Sequence, residues 1–197
     1  MEVLAREDVR GIETWHTRFR VRGGIPFYRV DDVLESWIGV ECFHSLRFVQ
    51  DFEEGGKVRE RRYEIFPERA MFREDTLPEM VSVRDPLDDG SFFYFVRTLD
   101  LEPGKTYSFH RYFRPDRNPV TIKVLRREKV RVPAGTFNAV VIQPIIKTRK
   151  LFSEKGEAQI WLSDDADRMM LQMKVKLNFG SLNLYLKSRP KKPTENR

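Results

Sequence analysis

Ile12–Arg22 reads IETWHTRFRVR, and its alternation decides the fold class. Trp15, Phe19 and Val21 fall on one face with Glu13 and Thr17, and Thr14, His16, Arg18, Arg20 and Arg22 on the other. Successive strand residues point to opposite faces, so the pattern is that of a strand with a dry side and a wet side. Gly23-Gly24 and Pro26 end it. The same rhythm continues outward through Val30–Ile38 (VDDVLESWI) and Ser45–Phe52 (SLRFVQDF), where Leu46, Phe48 and Phe52 share a face. Gly55-Gly56 lies between two alternating runs and can supply the positive φ of a hairpin turn. Its second arm has mixed faces, as a solvated strand does, and Arg69–Glu74 predicts a short strand pairing back.

A helix interrupts the strands at Pro86–Leu99. Asp85 fits an N-cap, Pro86 the first helical position, and Asp88 and Asp89 the first turn, where carboxylates suit the helix dipole. Phe92, Phe95, Val96 and Leu99 keep helical spacing, and Phe93 and Tyr94 widen the apolar surface nearly all round. Gly90 weakens the first turn. Strand patterns resume at Lys105–Phe113, Val120–Val132, Thr136–Lys147 after the Pro133-Ala134-Gly135 turn, Glu157–Ser163, and Met169–Leu186 with a bend or reversal at Gly180-Ser181. With no βαβ rhythm, the expected fold is mainly β: a curved antiparallel sheet or open barrel of about ten strands wrapped around one α-helix. Residues 1–186 are expected to form one β-rich domain.

A chain of 197 residues can bury about 70% of its unfolded surface without a staple. The single Cys42 excludes an internal disulfide and every Cys-cluster motif, and its apolar surroundings, Ile38–Phe43, predict an inert thiol. No apolar run approaches the roughly 20 residues that span a bilayer, and MEVLAREDVRG has no signal-peptide core as it stands. The net charge of +6 is concentrated at the end, where Lys187, Arg189, Lys191, Lys192 and Arg197 face a lone Glu195. Residues 187–197 therefore read as a disordered basic tail suited to contact with a membrane surface. The body is close to charge balance, which argues against nucleic acid as a partner.

Catalytic and metal motifs are absent. His16, His44 and His110 lie on different expected strands without HExxH spacing, and GxSxG, GxGxxG and GxxxxGK do not occur. Asp164-Asp165-Ala166-Asp167 reads as a turn in which Asp bonds its own backbone rather than as a calcium loop. Asp31 and Glu35 share a strand face with Val33 between them, a weak carboxylate pair; Asp31 and Asp32 point apart. No cofactor, metal site or catalytic residue is expected.

The aromatic content is the most informative feature. Trp15, Phe19, Trp37, Phe48, Phe92, Phe95 and Trp161 are the candidate ligand-binding residues, drawn from a larger set with Phe93, Phe109 and Phe113. The plain alternative is that they fill the core between sheet and helix. A concave sheet could instead leave an apolar cavity beside the helix for an acyl chain.

Five segments in order, VDDVLESWI, RYEIFPER, DPLDDGSFFYFVRTL, VRVPAGTFNAVVIQP and GEAQIWLSDD, resemble the exported bacterial family known as domain of unknown function 3108. The resemblance runs from about Val21 to Leu186. It implies a curved antiparallel sheet around one helix and a place in the periplasm or cell envelope, and it brings no established activity. Members of that family usually have a signal peptide and one or two strands before the segment matching Ile12–Arg22, so the first strands are expected to be missing here. The expected function is non-enzymatic binding of a lipid-like, lipoprotein or protein ligand in the envelope. A structural or protein-interaction module with a self-filled core is the alternative, and a hydrolase the third reading.

Overall fold

The computed structural model describes residues 1–25, 28–54, 56–146, 158–177 and 180–189. Among them are thirteen strands and one α-helix, forming two antiparallel sheets rather than one sheet or a closed barrel. The chain divides into two compact units, Met1–Asp100 with Ser108–Val120, and Leu101–Tyr107 with Thr121–Arg197.

The first sheet is a meander of seven strands in chain order: β1 (Glu2–Val9), β2 (Ile12–Ile25), β3 (Tyr28–Gly39), β4 (Ser45–Glu54), β5 (Lys57–Phe66), β6 (Met71–Glu74) and β7 (Met80–Val81). Sequence alternation locates β2 to β6; β1 and β7 are additional. The β1–β2 turn has two residues, Arg10 (φ 56°) and Gly11 (φ 81°), between paired Val9 and Ile12. Positive φ at both central positions matches the twist of the flanking strands. Gly56 (φ 79°) does the same work between Glu54 and Lys57, as expected of Gly55-Gly56.

Across the sheet Thr17 pairs with Ser36, and Ser36 with Phe48, so these three share a face with Phe19. The helix α1 (Asp89–Val96) docks on that face, with the Phe93 ring 4.9 Å from Phe19. Phe92, Phe93 and Val96 are buried. Farther along, the Phe48 and Tyr63 rings stack at 5.7 Å, Phe113 meets Tyr63 at 5.2 Å, and Phe72 meets Phe113 edge-on at 5.1 Å. Such pairs add about 0.5–1.5 kcal/mol each to the gain from burial. Phe48, Tyr63 and Phe113 are almost wholly buried, so this seam is the unit's core.

The helix is shorter than expected and starts later. Its N-cap is Asp88, not Asp85: the Asp88 carboxylate accepts from the Gly90 and Ser91 amides, and Ser91 Oγ accepts from the Asp88 amide. This reciprocal capping box satisfies amides that a helix start leaves free. Pro86 cannot be helical because Leu87 is held in a bridge to Tyr112, donating to Arg111 O and accepting from Phe113 N.

The second sheet has the order β13-β12-β11-β10-β9-β8, again a meander: β8 (Thr106–Phe109), β9 (Val120–Val132), β10 (Gly135–Ile145), β11 (Ala158–Ser163), β12 (Met170–Leu177) and β13 (Gly180–Tyr185). The expected final run Met169–Leu186 is thus two antiparallel strands, Leu177 opposite Gly180. The expected strand Lys105–Phe113 is reduced to four residues. Val132, Phe137, Ala139, Val141, Trp161 and Leu171 form one apolar cluster. Leu186 closes its end, donating to Leu171 O and accepting from Ala134 N in the β9–β10 turn. Most of the expected tail, from residue 190 on, lies outside the described residues.

Candidate functional site

The contact between α1 and the first sheet is polar at its N-terminal end. Ser36 Oγ donates to Asp88 Oδ1 at 2.6 Å, Ser45 Oγ to Ser91 Oγ at 2.8 Å, and the Asp88 amide to Ser45 Oγ at 3.1 Å. All four side chains are fully buried. Asp88 Oδ2 has no hydrogen-bond partner. Burial pushes the Asp88 carboxyl up to about 6, against the pull of the hydrogen bonds from Ser36, Ser45 and the Ser91 backbone. At the rim, Asp89 accepts from Gln50 Nε2 and Tyr112 Oη, and burial raises the Tyr112 hydroxyl well above its ordinary range.

The six candidate aromatics of the first unit, Trp15, Phe19, Trp37, Phe48, Phe92 and Phe95, do not share one face. Phe19 and Phe48 lie on the helix face and Phe92 on the helix, all buried. Trp15 pairs with Arg6 on β1, whose guanidinium sits 4.2 Å from the indole. Trp37 is on the opposite face, stacked on His16 at 4.1 Å with its Nε1 donating to Glu7 at 2.7 Å. Trp161 belongs to the second unit, where its Nε1 donates to Glu128 at 2.6 Å and it packs in the Val141–Leu171 cluster.

The outer face around Trp37 is a lattice of paired charges. Glu7 and Glu35 bracket the His16 ring at 2.9 and 3.1 Å. Arg18 reaches Glu35, Arg20 and Arg22 both reach Asp31, and Arg47 reaches Glu64, at 2.6 to 2.9 Å. Arg20, and then Arg22, hold Asp31 far below the ordinary carboxylate range. Trp37 and His16 likewise lower Glu7. Asp31 and Glu35 are therefore occupied by cations, which gives neither the free carboxyl that acid–base chemistry needs.

A second aromatic group, at the β3–β4 loop and the far side of α1, is only half buried. Phe95 meets Phe109 edge-on at 5.0 Å, Phe43 at 6.2 Å and the buried Phe92 at 6.3 Å. Arg111 lies over Phe95, 4.8 Å from the ring centre. Its Nε donates to Asp85 O at 2.9 Å and its Nη2 to Phe43 O at 2.7 Å. Phe43 has φ 48°, a strained conformation for a bulky residue, and the Arg111 bond to its carbonyl helps to hold it. Burial lowers the Arg111 pKa, with Asp85 opposing. His44, next to Phe43, keeps a buried Nδ1 without a partner, and burial lowers its pKa too. Of this group the sequence marks Phe92 and Phe95 as ligand-binding candidates and Phe109 as part of the wider aromatic set; it does not mark Phe43, His44 or Arg111.

Among the described residues no three His, Cys, Asp or Glu side chains are grouped to hold a metal ion. In the Asp164–Asp167 segment, Asp165 Oδ1 accepts from Ser163 Oγ and from the Asp167 and Arg168 amides, the backbone-bonded turn that its composition predicts. Cys42 is exposed at the loop tip rather than packed among its apolar neighbours, because the chain leaves β3 at Gly39. No described helix is long and apolar enough to cross a membrane.

Neither the curated proteins nor the solved structures include a match to this chain. A family model does match, over residues 2–187, nearly the whole length. The match begins at β1, ahead of the segments that carry the resemblance in the sequence, and the chain belongs to the family described as protein of unknown function, DUF3108.

Proposed function

We propose that the protein is a non-enzymatic binder of an apolar or lipid-like ligand in the bacterial envelope, and that the ligand lies on Phe43, Phe95 and Phe109. One observation carries this reading. These rings form a contiguous half-buried group beside a strained loop, whereas Phe48, Tyr63 and Phe113 are almost wholly buried against one another. Apolar sites with a few polar groups at the rim are the usual form of small-ligand sites. The envelope setting follows the family resemblance and the ligand class.

The test is titration of the purified protein with N-phenyl-1-naphthylamine, a neutral probe that fluoresces on leaving water. Saturable enhancement that weakens in Phe95→Ala and Phe109→Ala is the expected result. A signal that does not saturate, or that both variants leave unchanged, would sink the proposal. The self-packed Phe48–Tyr63–Phe113–Phe72 seam favours a second reading, a protein-interaction module, for which no probe binding is expected.

A further inference from the structure

We infer that Arg111 receives the carboxylate head of a long-chain acyl ligand whose chain lies on Phe43, Phe95 and Phe109. The inference rests on the binding reading above and assigns its ligand class. The observation behind it is a cation whose hydrogen bonds reach no carboxylate, the Asp85 charge acting on it only from beyond ion-pair distance. Arg111 is half buried, yet among the described residues no carboxylate lies within ion-pair distance of it; its two hydrogen bonds go to backbone carbonyls. The arginines of the outer face behave differently, since Arg18, Arg20, Arg22 and Arg47 each hold a Glu or Asp.

Removing a charge from water is costly unless an opposite charge meets it, so a half-buried guanidinium facing apolar rings favours an anion from outside the chain. The geometry suits a carboxylate. A guanidinium has five donors in a rigid plane. Nε and Nη2 are spoken for by Asp85 O and Phe43 O, and Nη1 makes no hydrogen bond among the described residues. Those two bonds and the Phe95 face fix the plane before any ligand arrives, which reduces the ordering that binding would require. An acyl chain leaving the head would then run over Phe95 toward Phe43 and Phe109, where no further charge is needed.

The assay displaces bound N-phenyl-1-naphthylamine with three twelve-carbon ligands: dodecanoate, 1-dodecanol and dodecyltrimethylammonium, all below their aggregation limits. Dodecanoate should displace the probe at concentrations about tenfold lower than the alcohol, the scale of a charge-assisted hydrogen bond, and the cation should be weakest. Arg111→Met, checked for folding by its far-ultraviolet circular dichroism, should bring dodecanoate level with dodecanol. Equal displacement by acid and alcohol in the native protein overturns the carboxylate assignment and leaves the aromatic site standing. A carboxylate preference that survives Arg111→Met overturns the role of Arg111. Absence of saturable probe binding overturns the aromatic site, and this inference with it.

Discussion

Asp88→Asn should flatten the pH dependence of stability in one defined window. Asp88 is fully buried, and its carboxyl is pushed up from an ordinary 3.8 to about 6. The folded protein therefore holds this proton at pH values where the unfolded chain has lost it. Stability from this group is fully present below about pH 4 and is lost as pH rises through 6. The rise in pKa corresponds to about 3 kcal/mol. Asn keeps an acceptor for Ser36 Oγ and for the Gly90 and Ser91 amides, so the cap survives while the titration goes. Glu7, Asp31, Glu102, Glu128 and Asp165, whose pKa values are lowered, work in the opposite direction, losing stability as pH falls. Those contributions are common to both proteins and cancel in the difference. Urea unfolding of both at steps from pH 4 to pH 7.5 is the assay. The native protein should gain about 2–2.5 kcal/mol on Asp88→Asn between the alkaline and acidic ends, the remainder of the shift lying below pH 4. A difference constant to within about 0.5 kcal/mol, a change usual for surface substitutions, would refute the argument that burial governs Asp88.

Three further outcomes follow from packing and charge. Phe93→Ala, which removes a buried ring from beside Phe19, should cost about 3–5 kcal/mol, and Phe95→Ala, on the half-buried group, clearly less; equal losses in chemical denaturation would contradict the assigned faces. Gly90→Ala should destabilise by about 1–3 kcal/mol despite a gain of about 1 kcal/mol in helix propensity, because the new methyl would lie 2.4 Å from Ser36 Oγ, itself bonded to Asp88; a rise in Tm would show that Ser36 moves freely. Glu102→Gln breaks an exposed pair with Arg127 and should leave the urea midpoint almost unchanged, so a clear drop in that midpoint would mean that the pair anchors the second unit.

Strands with one dry face were legible in the sequence. Val120–Val132 is found with the bounds that alternation assigns it, and the β4–β5 turn falls at its glycines. The first strand was not legible: Val3 and Leu4 are adjacent, a bulge shifts the register between Val3 and Ala5, and nearly every residue is exposed. Pairing defines such an edge strand, and no buried stripe marks it. The helix start is ambiguous in the sequence because Asp85-Pro86 and Asp88–Ser91 both have the composition of a cap, and the Leu87–Tyr112 bridge that decides between them joins distant residues. Trp37 could have been assigned to the wet face, since it shares parity with Asp31 and Glu35. Arg111 could not have been found locally. Its bonds run to Asp85, 26 residues away, and to Phe43, 68 away.

Both sheets are meanders, so every strand finds its partner next door along the chain. The α1 cap is the opposite case, with Asp88 reaching Ser36 across 52 residues and Ser45 across 43. Hairpins can therefore zip with short loops closed, whereas the buried serine–aspartate joint must wait until β3 and β4 are in place beside the helix. A contact formed that late is expected to have little presence in the folding transition state, which chevron kinetics of Ser36→Ala would show. Loosening the joint then leaves the rate of folding nearly untouched and hastens unfolding, so Asp88, Ser36 and Ser45 govern how long the native state persists once formed.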